Sequence, residues 1–197
     1  FRGKPHPAIA LPRDLYGTER RNSSGIDLSD EHALRDLSKA LSTYGKRQWH
    51  ALPLIGQPVS ASRSDVRNPA DHADVVGTVV QASSCDVEQA LDYAAAGASA
   101  WQVKPAQERA AILIHAADLF QSHATELIAL AIREAGKTLP NAIGELREAI
   151  DFLRYYSMQA IASETAPPLG LVACISPWNF PLSIFTGQLS AALAAGN

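Results

Sequence analysis

The chain has 197 residues, of which 47% are hydrophobic and 19% are charged. That composition supports a buried core and argues against disorder, and the length suits one large domain or a domain and a half. The net charge of -3 argues against a general surface for nucleic acid or anionic membrane, so we expect no nucleic-acid partner for this segment. No apolar run approaches the roughly 20 residues that a membrane span needs.

The N-terminus and the cysteines indicate whether the chain is part of a longer protein and in which cellular compartment it lies. The chain opens with Phe1 and lacks a signal-peptide core, which predicts an internal cut from a longer protein. Cys85 and Cys174 belong to no recognisable disulfide framework, so we expect a reducing, cytoplasmic compartment. We expect Cys174 to be an inert core thiol, and Cys85 to be a loop residue beside a helix start.

Residues 1–45 predict a connector followed by one short helix. Repeated prolines and glycines break the periodicity before residue 30, so this stretch must lie on another part of the protein to be ordered. The helix begins near Ser29-Asp30-Glu31, where Ser29 or Asp30 can cap it, and it ends before Gly45.

Three short strands are predicted next, over residues 52–58, 64–70 and 74–81. Because no helix separates them, we expect antiparallel pieces and no βαβ unit. His72 lies among acidic residues, but no further ligand is nearby, so we expect a solvated turn residue and no metal site.

Four helices are predicted over residues 84–101, from 105, 124–135 and 141–160. Asp86 can cap the first, Pro105 suits the first position of the second, and Gly136 ends the third. The faces predicted to pack are Val87, Ala90, Leu91, Ala94 and Ala98 in the first helix, Ile112, Leu113, Ala116, Leu119 and Phe120 in the second, and Ile143, Leu146, Ile150, Leu153 and Tyr156 in the fourth.

The last stretch, 168–197, predicts a strand, a tight loop and a helix. Residues 169–175 are apolar without polar alternation, which predicts a strand buried on both faces. Pro177 ends the strand, and an amphipathic helix follows over 182–195. In α/β sheets the loop after a strand lies at its carboxyl end, where ligands bind.

The motif Pro-Trp-Asn-Phe-Pro (177–181) within this stretch resembles the one with which aldehyde dehydrogenases open their nucleotide-binding sheet. The resemblance implies that Asn179 donates its side-chain amide to the oxyanion formed when a cysteine thiolate attacks the aldehyde. It also implies that Phe180 borders the aldehyde channel. The cofactor NAD would lie along the backbone of Ile175, Ser176, Pro177 and Trp178. The alternative from the residues alone is a proline-rich loop with both aromatics in the core.

Segments 12–29 and 140–156 resemble one branch of this family more narrowly, the dehydrogenase half of bifunctional bacterial proline-degrading enzymes. The turn Glu-Ala-Gly-Lys (134–137) resembles the Glu-x-Gly-Lys turn of aldehyde dehydrogenases, and it implies that Glu134 lies at the mouth of the substrate channel. The alternative for Glu134 is a helix-end carboxylate in water. Gly136-Lys137 is no P-loop, and the chain contains no Gly-x-Gly-x-x-Gly.

The resemblance implies an α/β fold: the N-terminal part of an aldehyde dehydrogenase nucleotide-binding domain, with helices and short antiparallel strands followed by the first strand and helix of a Rossmann-like sheet. Residues 1–45 would form the connector, and 46–197 would form that truncated domain. The implied activity is NAD-dependent oxidation of L-glutamate 5-semialdehyde to glutamate in proline catabolism. A general aldehyde dehydrogenase and a non-catalytic scaffold are the alternatives.

The same resemblance sets limits on what this chain does alone. In relatives, the lysine that binds the cofactor ribose, the general-base glutamate and the nucleophilic cysteine follow the segment that ends here at Asn197. We therefore expect the isolated chain to be inactive and to bind NAD weakly or not at all. FAD would belong only to a preceding proline dehydrogenase half, and peripheral membrane association only to other parts of the parent. The expected partners are an aldehyde substrate and further copies of the protein in a homo-oligomer.

Overall fold

Six α-helices and three strands make up most of the part of the chain that the structure describes, residues 6–55, 62–162 and 167–197 of a computed structural model. In chain order they are α1 Glu31–Ser42, β1 Trp49–Ala51, β2 Arg63–Asn68, β3 Asp71–Val80, α2 Ser84–Gln102, α3 Ala106–Ser122, α4 Ala124–Ala135, α5 Leu139–Ala162 and α6 Ser183–Ala194. The predicted α/β class is confirmed. The division between residues 45 and 46 stays a prediction.

Helix α5 is the centre of the core, and α3, α4 and α6 pack against it. Its predicted inner face is confirmed, because Ile143, Leu146, Ile150 and Leu153 are buried and Tyr156 packs against the same cluster. Helix α6 approaches α5 closely at Gly187, where an added Cβ would lie 2.9 Å from the Phe152 ring. A larger residue at position 187 would therefore force the Phe152 ring to move.

The predicted face of α3 is only partly right. Leu113 is buried, but Ile112 and Leu119 are each about half exposed. The helix lies on its neighbours through a stripe that includes Ala106, Ala110 and Ala117, because small side chains let helix axes approach closely. Pro105 is also displaced from its predicted position: it precedes the first helical residue as the N-cap.

Helix α2 differs from its prediction in its cap and in its burial. Its N-cap is Ser83, and Asp86 completes a reciprocal capping box from the third helical position. The small-residue face predicted to pack is not buried, and Leu91 remains 54% exposed. Cys85 is an exposed residue within the first turn of this helix, so its placement in a loop was wrong.

The N-terminal connector lies on α5, as expected for a segment without a core of its own. The backbone N–H and hydroxyl of Ser23 donate to the carboxylate of Asp151 at 2.7 and 2.9 Å, and Ser23 is only 1% exposed. Further along α5, Arg154 donates to the carbonyl of Arg21 at 3.2 Å. Helix α1 is capped by Asp30, one of the two predicted caps.

The sheet has the order β1-β3-β2, with β1 parallel and β2 antiparallel to β3. The second and third predicted strands are confirmed, whereas the first lies earlier than predicted, over Trp49–Ala51. Of the stretch 52–58, residues 52–55 form no strand and 56–58 lie outside the described residues. Antiparallel pairing throughout was also wrong, because β1 pairs parallel with β3 and only β2 pairs antiparallel with it.

The backbones of β1 and β3 meet too closely at Gly77 for any side chain. A Cβ at this position would lie 1.9 Å from the carbonyl oxygen of Trp49. Gly97, in contrast, has open space around it within helix α2.

We therefore predict that Gly77→Ala displaces β1 and lowers the free energy of unfolding by about 3 kcal/mol or more. The matched change Gly97→Ala should raise it by up to about 1 kcal/mol, because alanine is the better helix former. Urea unfolding followed by circular dichroism measures both. Equal stability of the two variants would contradict the packing at Gly77.

Arg133 of α4 joins this helix to the sheet through a bidentate salt bridge with Asp74 of β3. Its Nε and Nη2 donate to the two oxygens of Asp74 at 3.0 and 2.6 Å, and its Nη1 donates to the carbonyl of Tyr44 at 3.0 Å. The hydrogen bonds from Arg133, and then the one from Asn68, lower the pKa of Asp74 below its ordinary value. The ionised carboxylate is thus the form that the fold favours.

Because its pKa is lower in the folded state, Asp74 stabilises the fold fully at pH values above the pKa that it has in the unfolded chain. This stabilisation is lost as the pH falls through the pKa of Asp74 in the folded state. Asp74→Asn should therefore lower the urea midpoint of unfolding at pH 7. The difference in midpoint between parent and variant should shrink as the pH falls below 3.8, the ordinary pKa of an aspartate carboxyl. Asp92→Asn, at an exposed position of α2, is the control. A difference that stays constant between pH 7 and 3 would argue against this ion pair.

Candidate active-site loop

Residues 169–175, which precede the loop, do not form the buried strand that was predicted. Leu169 is 93% exposed and Ile175 is 83% exposed. A strand requires a hydrogen-bonded neighbour, and the three described strands pair only with one another. Cys174 consequently lies at an intermediate depth and outside the core, which corrects its prediction as a core thiol.

The loop 176–182 exposes the residues of the Pro-Trp-Asn-Phe-Pro motif. Trp178 is 85% exposed, which rules out the alternative in which it fills the core, and Phe180 is 38% exposed. Asn179 is exposed as well, and its side-chain amide forms no hydrogen bond to another described residue. The amide is therefore available as a donor to a bound group.

A carboxylate from α5 holds the end of this loop. Glu145 Oε1 accepts hydrogen bonds from the backbone N–H groups of Leu182 and Ser183 at 2.8 and 3.3 Å. Helix α6 has no side-chain cap of its own at Leu182, so Glu145 supplies one from a neighbouring helix. The negative charge also suits the positive end of the helix dipole.

Lys137 neutralises that buried carboxylate. Its Nζ lies 2.9 Å from Glu145 Oε2, and the two side chains are 14% and 2% exposed. The same Nζ lies 4.3 Å from the centroid of the Phe180 ring, within the range of a cation–π contact. The left-handed turn at Gly136, with φ of 63°, ends α4 and brings Lys137 to this place.

The other side of the loop is fixed to α6. Gln188 Nε2 donates to the carbonyl of Ile175 at 2.9 Å. Asn197 Oδ1 accepts from the N–H groups of Leu169 and Gly170 at 2.6 and 3.0 Å. The backbone carbonyl of Leu193, near the end of α6, accepts from Trp101 Nε1 at 3.0 Å. The segment before the loop is therefore held by α6 and by the residue Asn197 that follows it.

The structure does not bring Glu134 to this loop. Glu134 lines a cavity of about 110 Å³ between the sheet and α4, together with Trp49, Val76 and Leu130. Although the residue is exposed overall, desolvation by these neighbours raises the pKa of its carboxyl. Its assignment to the channel mouth stays a prediction.

Glu145 was not predicted from the sequence as a site residue, and Lys137 was considered there only as a phosphate ligand and rejected. A signal for Glu145 was present, because it lies between Ile143 and Leu146 on the predicted inner face of α5. A carboxylate on a buried face requires a partner. Which partner it meets depends on the crossing of α5, α6 and the turn at Gly136, and no sequence period specifies that.

The described ranges 6–55, 62–162 and 167–197 contain no group of three or more His, Cys, Asp and Glu residues that could hold a metal ion. None of the helices in them combines the length and the apolar character that crossing a membrane requires.

Residues 57–197 match the sequence pattern of the aldehyde dehydrogenase family, so the chain belongs to this family. It is 56% identical over 199 residues to the bifunctional protein PutA of Escherichia coli K12, a match that covers 99% of this chain and 15% of PutA. The crystal structure of a bifunctional proline utilization A (PutA) protein superposes with a TM-score of 0.77 at 36% identity, covering 98% of this chain and 18% of that one.

A third relative is a 1-pyrroline-5-carboxylate dehydrogenase from Thermus, solved with bound NAD. It has a TM-score of 0.77 and 29% identity, and the match covers 90% of this chain and 38% of that one. The chain therefore spans a minor part of the length of each of these relatives. The aldehyde dehydrogenase and proline-catabolic resemblance is confirmed, while the roles of the individual site residues stay predictions.

The ion pair of Lys137 and Glu145 gives a stability prediction. Lys137→Met leaves a buried carboxylate without its counter-charge, and the free energy of unfolding should fall by about 3–5 kcal/mol. The matched control is Lys104→Met, which breaks the exposed pair with Glu108 and should cost less than about 1 kcal/mol. Urea denaturation measures both, and similar losses in the two variants would refute the buried pair.

Proposed function

We propose that this chain forms the N-terminal part of the NAD-binding domain of a dehydrogenase that oxidises L-glutamate 5-semialdehyde to glutamate in proline degradation. Membership of the aldehyde dehydrogenase family supports an oxidoreductase. Similarity to PutA and to a 1-pyrroline-5-carboxylate dehydrogenase supports the proline-catabolic substrate, because that semialdehyde is the hydrolysed form of 1-pyrroline-5-carboxylate.

The observation that carries the proposal is the exposed amide of Asn179 on a loop held from both sides. In the proposed reaction a cysteine thiolate, supplied from outside these 197 residues, bonds to the aldehyde carbon, and the carbonyl oxygen becomes an oxyanion. Asn179 donates a hydrogen bond to that oxygen. A neutral donor fixed before the reaction stabilises the developing charge without reorganising. Phe180 borders the aldehyde beside it.

We propose that NAD lies along the backbone of Ile175, Ser176, Pro177 and Trp178, and its chemistry when bound is to accept the hydride. The exposure of Ile175 and Trp178 fits a surface for a bound group. Glu145 already accepts from the N–H groups of Leu182 and Ser183, so these two groups are not open to a cofactor phosphate. We also propose that the isolated chain binds NAD weakly or not at all.

Several properties of the longer protein belong to the same proposal. Any FAD would be bound by a proline dehydrogenase half outside this chain. We propose a cytoplasmic homo-oligomer in which the cysteine and the general-base glutamate lie beyond Asn197. Glu134 is proposed for the mouth of the substrate channel, where its raised pKa would favour the neutral form.

The test is NADH formation from L-glutamate 5-semialdehyde by the full-length protein that contains this chain, by the 197-residue chain, and by the full-length Asn179→Ala variant. We expect activity in the first and none in the second. We expect kcat to fall by about 10²–10³ in the third, the usual loss for one oxyanion donor. Asn141→Ala, at an exposed position of α5, is the matched control and should retain full activity.

Other outcomes would overturn specific parts of the proposal. Oxidation of simple aldehydes without oxidation of the semialdehyde would refute the proline-catabolic substrate and leave a general aldehyde dehydrogenase. Absence of activity with every aldehyde would refute the enzymatic role and favour a non-catalytic scaffold.

A further inference from the structure

We infer that Lys137 and Glu145 act as a positioning pair that holds the amide of Asn179 where the oxyanion forms, an inference that rests on the proposed function. Neither side chain forms a hydrogen bond to Asn179 among the described residues, and neither is proposed to contact the reacting atoms. Their action would pass through the backbone and the aromatic ring that follow Asn179 in the chain.

Glu145 fixes the chain immediately after the loop. Its Oε1 accepts from the N–H groups of Leu182 and Ser183 at 2.8 and 3.3 Å. Its side chain is 2% exposed, so water does not compete for these bonds. The start of α6 is thereby fixed relative to α5, which is the most central helix of the core.

Lys137 fixes the residue next to Asn179. Its Nζ lies 4.3 Å from the centroid of the Phe180 ring and 2.9 Å from Glu145 Oε2. One ammonium group therefore joins the side chain of residue 180 to the carboxylate that holds residues 182 and 183. At 14% exposure this ammonium is largely withdrawn from solvent, which strengthens both contacts.

On the other side, Gln188 holds the carbonyl of Ile175 at 2.9 Å. Only residues 176–179 lie between this bond and the contact of Phe180 with Lys137. Two of those four residues are Pro177, whose φ is restricted, and Asn179 itself. The backbone that carries Asn179 is thus held at residue 175, four residues before it, and at residue 180, one residue after it.

If the pair acts through Asn179, its loss displaces the amide without removing it. A displacement of about 1 Å can cost about 10²-fold in rate, so we expect Lys137→Met to lower kcat by about 10- to 100-fold in the full-length enzyme. A merely structural role could also lower kcat. The effect of Lys137→Met must therefore be measured with and without Asn179.

A double-mutant cycle separates the two roles. Lys137→Met, Asn179→Ala and the combined variant are compared with the parent for kcat on L-glutamate 5-semialdehyde. We expect Lys137→Met to cause no further loss once Asn179 is alanine, because there is no amide left to position. The same fold-loss in both backgrounds would overturn the inference while leaving the proposed function intact.

A second variant guards against misfolding caused by the uncompensated carboxylate. The double variant Lys137→Met/Glu145→Gln removes both charges. The amide oxygen of the glutamine introduced at position 145 can still accept from the N–H groups of residues 182 and 183. We expect this variant to fold, to lower kcat because the contact with Phe180 is gone, and to show the same coupling to Asn179→Ala. The exposed pair supplies the control Lys104→Met/Glu108→Gln, which should leave kcat unchanged.

The outcome for Asn179→Ala alone distinguishes the two proposals. If that variant keeps the kcat of the parent, the oxyanion role in the proposed function is refuted, and the positioning role is refuted with it. If kcat falls but the cycle is additive, only the positioning role is refuted.

Discussion

The candidate site depends on the interactions of one buried carboxylate, that of Glu145, with Lys137 and with the start of α6. A carboxylate that is 2% exposed is costly unless it is paired and hydrogen-bonded. Here Oε2 is paired with the ammonium of Lys137 after α4, although this contact does not have hydrogen-bond geometry, and Oε1 accepts from the N–H groups of Leu182 and Ser183 at the start of α6. Pairing one buried charge therefore fixes where three segments meet. The loop with Asn179 leads directly into that meeting point.

The rest of the core makes the arrangement possible. Helix α6 can lie close to α5 because Gly187 faces Phe152 and because its buried face carries small residues such as Ser183 and Ser190. Its larger apolar residues, including Phe185 and Leu189, are partly exposed on other sides. The start of α6 is thus held against α5, where the Glu145 carboxylate accepts from the N–H groups of Leu182 and Ser183.

Much of the fold was predictable from local patterns, and the failures share a physical cause. Helices α1, α4 and α5 were predicted well because Asp30, Gly136 and the apolar spacing in α5 act within a few residues. The strand over 169–175 was predicted from its apolar run, but strand formation depends on a distant partner. Likewise, the direction of β1 depends on its pairing with β3.

The candidate site also contains features that local sequence indicates and features that depend on contacts between distant residues. The motif at 177–181 pointed to Asn179 through a family resemblance, and the family is confirmed. The contact of Lys137 with Phe180, in contrast, joins residues far apart in sequence, and it becomes visible only when α4, α5 and α6 are packed together. A motif can thus indicate a candidate site residue, whereas the side chains that hold its loop are found from the fold.

The most direct test of the account is a crystal structure of the full-length protein that contains this chain, with L-glutamate 5-semialdehyde bound covalently at the proposed nucleophile. We expect Asn179 Nδ2 within about 2.7–3.1 Å of the substrate oxygen, the distance at which a donor stabilises an oxyanion. We also expect the Phe180 ring to remain against Lys137. A substrate oxygen bound by other donors, with the amide of Asn179 turned towards solvent, would contradict the account.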